Sequence, residues 1–135
     1  MSFIIAALAA AASHSVALEH HGRQLGATYT ARADVEMRTV GAKAGTRMEG
    51  QRCRWTANIV VDRTLDHGPA HARTLPTDMR FTGSEPGACR PGRDPGAAVL
   101  ARHGDTIRAN LAALAQADRA PLLAELDSAR ALAAN

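Results

Sequence analysis

Ala27-Thr28-Tyr29-Thr30-Ala31-Arg32-Ala33-Asp34-Val35-Glu36-Met37-Arg38-Thr39-Val40 places small or apolar residues at odd positions and polar or charged ones at even positions almost throughout. That period of two specifies a strand with one dry face and one wet face. Gly41-Ala42-Lys43-Ala44-Gly45 ends the pattern with a flexible connection. A second alternating run then puts Cys53, Trp55, Ala57, Ile59 and Val61 on one face and Arg52, Arg54, Thr56 and Asn58 on the other. Two such runs around a short connection predict an antiparallel hairpin. Centring the loop near Ala44 sets Asp34 against Arg54 and Glu36 against Arg52 on the wet side. Ala33 then faces Trp55, and Val35 faces Cys53. Complementary pairs of this kind contribute about 0.2–1 kcal/mol each, so they account for the arginines without a ligand.

Downstream, Leu65-Asp66-His67-Gly68-Pro69 reads as a turn, and Ala72 to Thr82 as a third strand. Pro76 confines that strand to an edge or splits it. Gly83 to Gly96 is so rich in glycine and proline that it is expected to be loop, with Cys89 in its middle. Beyond it, Val99, Leu100, His103, Ile107, Leu111 and Leu114 recur at helical spacing. Gly104 marks a close approach or a break, with Asp105 capping a new start. Asp118 reads as the N-cap of a last helix that accepts Pro121 in its first turn and lines Leu122, Leu126, Ala129 and Ala133 along one face. The expected fold is α+β: a hairpin or three-stranded meander, then two C-terminal helices packed on its apolar face.

Composition limits what such a domain can be. The chain has 135 residues, 46% hydrophobic, and 30 of them are alanine, so its one core is modest. A multidomain enzyme, a membrane-spanning bundle and a collagen-like chain are excluded. The net charge of +3 is interspersed by sign, and aromatics are 3% of the residues. With neither a basic stripe nor a stacking platform, nucleic acid is not the expected partner.

Residues 1–17 read as a secretory signal: an apolar run of about ten residues and then Ser15 and Ala17 at the small positions before a cut. The run is too short to span a membrane. The α-amino group stands in for the usual Lys or Arg, and a cut after Ala12 is the alternative. The domain is then 18–135, with a flexible start over about 18–25, and the expected location is the periplasm or outside the cell. Export explains the cysteine count of two, Cys53 and Cys89. One disulfide closing a loop of this length removes unfolded-chain entropy worth roughly 4 kcal/mol.

Three functional readings follow. The first is a non-catalytic envelope protein that binds another protein or a small ligand, with self-association through a free sheet edge open to it. The second is a periplasmic Cu(II) or Ni(II) protein. A cut after Ala17 would expose Leu18-Glu19-His20, whose free amine, two backbone amides and imidazole form a planar four-nitrogen set, with His21 as an axial donor. The third is an enzyme of unrecognised type. Gly83-Ser84-Glu85-Pro86-Gly87 lacks the spacing of a nucleophile elbow, and Ser128 falls within a helix. Arg90 and Arg93 lie in a glycine-rich loop without phosphate-loop order. His67 and His71 are separated by Gly68-Pro69, which precludes a helical ligand pair. A deep pocket gathering Asp66, His67 or His103 would support catalysis.

Overall fold

The structure, a computed structural model, describes residues 12–41, 50–66 and 72–134. Its elements run β1 (Ser13–His20), β2 (Arg23–Val40), β3 (Arg52–Leu65), β4 (Arg73–Pro86), α1 (Gly96–Arg102) and α2 (Gly104–Ala134). The four strands form one antiparallel sheet in the order β1-β2-β3-β4, and the two helices pack on one of its faces. The protein is therefore α+β, with one strand more than the meander expected from sequence.

The extra strand is β1. Residues 18–25, expected as a flexible start, instead form the tight turn of the β1–β2 hairpin, where Leu18 pairs with Leu25 and both are buried. His21 and Gly22 form its two-residue turn, with φ of 51° and 76°. Positive φ at both central positions is the geometry whose twist suits a two-residue hairpin. Ser13 to Ala17 carries too few large residues to stand out as a strand. Its small side chains alternate all the same, with Val16 and Leu18 turned to the core side.

The β2–β3 hairpin keeps the expected faces but not the expected register. Asp34 meets Asn58 rather than Arg54, and Glu36 meets Thr56 rather than Arg52. Ala33 lies against Ile59, Val35 against Ala57 and Met37 against Trp55. An even displacement leaves every side chain on its own face. Loop symmetry was the only guide to register, and two surface ion pairs are too weak to set it against the pairing of Tyr29 with Arg63 and Ala31 with Val61 in the interior. Asp34 instead pairs with Arg32, which also reaches Asp62 at 2.8 Å.

β4 is an edge strand, as Pro76 demands, and an irregularity opposite Asn58–Val60 accommodates it. There the Thr77 hydroxyl donates to the Ile59 carbonyl and accepts the Met79 N–H. Gly83–Pro86 continue β4, so the expected loop shortens to residues 87–95. The reason is Trp55. It pairs with Gly83 across the strands, and a Cβ at position 83 would lie 2.2 Å from its ring. Glycine is here the seat of an indole rather than a turn residue. The Cys53–Cys89 disulfide ties the remaining loop to β3.

α1 ends at Arg102 with His103 as its C-cap, and α2 begins at Gly104, where a break was expected. Contrary to expectation, α2 continues through Asp118 and Pro121, so Asp118 does not cap a new helix. An interior proline costs about 3 kcal/mol. Full burial of Leu122 and Leu126, at about 1.5–3 kcal/mol each, offsets it. The sheet contributes Ala27, Ala31, Ala57, Ile59 and Val61 to the core, and the helices contribute Val99, Ile107, Leu111 and Ala115. Alanines on the sheet let the helices approach closely. At Gly96 a Cβ would stand 3.3 Å from Ala33 and Val35.

Replacing Gly83 by alanine is expected to destabilise the fold by about 1–3 kcal/mol in urea denaturation, because the indole cannot stay in place. Most of that loss should disappear when Trp55→Leu is added. Equal loss in both backgrounds would show that the indole is not the cause.

Candidate functional site

Among the described residues, three places bring chemistry-bearing side chains together. The first lies under α2. The alternation that turns Cys53, Trp55, Ala57, Ile59 and Val61 to the dry face runs on to Arg63, which is only 1% exposed. Its guanidinium donates to Asp118 at 2.8 Å and to Glu125 at 2.7 Å, two carboxylates separated by two turns along α2. The Tyr29 hydroxyl donates to the same Asp118 oxygen at 2.7 Å, and Arg73 reaches Glu125 at 3.2 Å. Nε of Arg63 has no hydrogen-bond partner among the described residues. Burial raises the Tyr29 hydroxyl well above its ordinary value of 10.0, and its bond to the Asp118 carboxylate adds to the rise. Burial alone would lower the Arg63 value, but its bonds to Asp118 and Glu125 outweigh that and raise it. The Arg63 hydrogen bond holds Glu125 below the usual carboxylate range against its own desolvation. This cluster is closed and mutually satisfied in charge, so it fastens the helix to the sheet.

The second place is open. α1 and α2 pack mainly on β1 and β2, which leaves the dry face of β3 and β4 partly uncovered. Between α1 and these strands lies a cleft of about 510 Å³. Trp55, Phe81, Pro95 and Val99 supply its apolar walls, and Arg102 and His103 stand at the α1 side. His103 stacks on Phe81 with centroids 4.1 Å apart and an interplanar angle of 14°. Arg102 is exposed, in the last turn of α1, and has no ion pair among the described residues. Glu85, also on the cleft, is engaged by Arg93 at 3.3 Å.

The third place is the β1–β2 turn. His20 and His21 point Nε2 at one oxygen of Asp127 on α2, at 2.7 and 3.1 Å. Hydrogen bonds from His20 and then His21 hold the Asp127 carboxyl below its usual range. Leu18 and Glu19, expected to help form a planar four-nitrogen set with His20, lie within β1 and pair with Leu25 and Gln24. Asp127, too distant in sequence to be suspected, is the partner that the histidines find.

Of the residues proposed for catalysis, Asp66 and His103 do not converge. Asp66 accepts the Gly26 N–H at 2.9 Å beside the β1–β2 hairpin, whereas His103 is at the α1 cleft. His67 and His71 lie outside the described residues. Ser84 is exposed and accepts a hydrogen bond from Arg52 at 3.1 Å, and Ser128 is exposed on α2. Arg54, expected opposite Asp34, and Glu36, expected opposite Arg52, have no ion-pair partner among the described residues. No helix among those residues is long and apolar enough to cross a membrane. No protein-family model, curated protein or solved structure matches the chain.

Tyr29 is the single tyrosine, so alkaline titration followed by tyrosinate absorbance reads this site directly. The folded value is raised, so the stability it contributes is present below the free tyrosine value near 10 and is lost as pH rises above it. The native protein should show no tyrosinate signal at pH 10–11 until it unfolds. Asp118→Asn should bring ionisation to lower pH, because the Arg63 charge then acts on the phenol unopposed. An unchanged titration in that variant would show that Asp118 does not govern Tyr29.

Proposed function

We propose that this chain is an exported, non-catalytic envelope protein whose cleft between α1 and the β3–β4 edge binds a small amphipathic acid. The observation that carries this reading is the pairing of an apolar floor, Trp55 and Phe81, with the uncommitted Arg102 guanidinium beside it. Ligand sites are typically concave, mostly apolar and furnished with a few orienting polar groups. An acyl chain or apolar ring fits the floor, and a carboxylate fits the guanidinium. The separation of Asp66 from His103 supports binding rather than catalysis.

Trp55 is the only tryptophan and lines the cleft, so its fluorescence is the assay. Decanoate below its micellar concentration should change the emission saturably, and decanol should do so at least fivefold more weakly. Arg102→Gln should abolish that preference. Indistinguishable titrations with decanoate and decanol, or no saturable change, would exclude an acid-binding cleft.

Export is supported by the disulfide, which belongs to oxidising compartments. The position of β1 bears on processing. A cut after Ala17 would detach Ser13–Ala17 from the sheet, whereas a cut after Ala12 spares β1. Mass spectrometry of the protein from its native host should find it in the periplasmic or secreted fraction, oxidised, with its first residue no later than Ser13. A reduced cytosolic protein beginning at Met1 would refute export.

A further inference from the structure

We infer that His20, His21 and Asp127 form a binding site for one divalent transition-metal ion of the copper–zinc end of the series. This site is independent of the cleft and does not need a free terminal amine. Two imidazole nitrogens and one carboxylate oxygen are a ligand set that zinc and copper favour. The three ligand atoms already lie within 4.8 Å of one another. The two Nε2···Oδ1 separations, 2.7 and 3.1 Å, are close to the roughly 3.3 Å between neighbouring ligands at metal bonds of about 2.0–2.1 Å. Coordination would lengthen these two separations by about 0.6 and 0.2 Å.

The protonation works out. A carboxylate only accepts, so both rings carry hydrogen on Nε2 in the metal-free cluster. On binding, each neutral ring moves its proton to Nδ1 and presents the Nε2 lone pair to the ion, while Asp127 stays ionised. Three protein ligands leave a position open for water or an exogenous donor.

The backbone supplies a second observation. His21 is the only non-glycine residue with positive φ among the described residues. At the first central position of such a turn, Asn, Asp or Gly is the favoured choice. A simple latch between hairpin and helix is met by His20, whose side chain is 15% exposed and sits 2.7 Å from Asp127. His21, half exposed, adds a second nitrogen to the same oxygen from a conformation that costs backbone energy. The rings stand nearly perpendicular, at 79° with centroids 4.2 Å apart, so they converge on one point without stacking.

Calorimetric titration of the full, oxidised chain with Zn(II) tests the site, with Mg(II) as control. One Zn(II) should bind per chain, and Mg(II) should not. His21→Gly suits the turn geometry, so its thermal midpoint without metal should be kept or raised, while Zn(II) affinity falls at least tenfold. Asp127→Asn should weaken binding at least threefold. The assignment is overturned if Zn(II) does not bind, if His21→Gly binds as tightly as the parent, or if a His67→Ala/His71→Ala variant alone removes the heat of binding.

Discussion

A guanidinium withdrawn from water organises this molecule. Arg63 sits where the dry face of β3 would otherwise receive another aliphatic side chain, and its charge must be answered from the layer above. α2 does so, through Asp118 and Glu125. The requirement adds a directional constraint on the rotation of α2 to the non-directional burial of Ile107, Leu111, Leu122 and Leu126. Breaking a buried pair from one side costs about 3–5 kcal/mol, whereas a well-packed apolar replacement for the whole pair is often neutral. The value of such a cluster lies in specifying one arrangement.

Once α2 is so placed, the rest of the layout follows. The C-terminal part of the helix arrives over the β1–β2 turn and brings Asp127 to the two histidines. Its N-terminal part, preceded by α1, covers β2 and stops short of β4. The uncovered corner is where Trp55 lies over Gly83 and where the cleft opens. The disulfide borders the same corner and pins the 87–95 loop there without filling it. The helix position thus determines both the closed and the open parts of the sheet face.

Strand faces could be read from residue periodicity, because burial selects side chains at fixed spacing, the disulfide from a cysteine count of two, and the α1–α2 break from Gly104. Register could not, since Asp34 and Glu36 look equally well matched to Arg54 and Arg52 as to the partners they take. β1 was obscured because Ser13–Ala17 satisfies the pattern of a signal-peptide end as well as that of a weak strand. The Arg63 cluster did leave a signal. Extending the dry-face alternation by one step past Val61 lands on an arginine, and Asp118, Leu122, Glu125 and Leu126 share one helix face. Asp118 looks like a cap in the sequence because a following proline usually marks a helix start, and only the tertiary partner distinguishes the two roles. Asp127 left no such trace, for nothing local ties it to residues at the other end of the domain.

The charges that neutralise Arg63 come from the middle and the final third of α2, at Asp118 and Glu125, far along the chain from β1. A molecule clipped before Asp118 would retain every strand and the cystine, yet display a bare greasy surface with a stranded cation in it. Such a fragment is a poor candidate to persist and a ready substrate for proteases, so completeness of the C-terminal tail is tested by electrostatics within the fold itself.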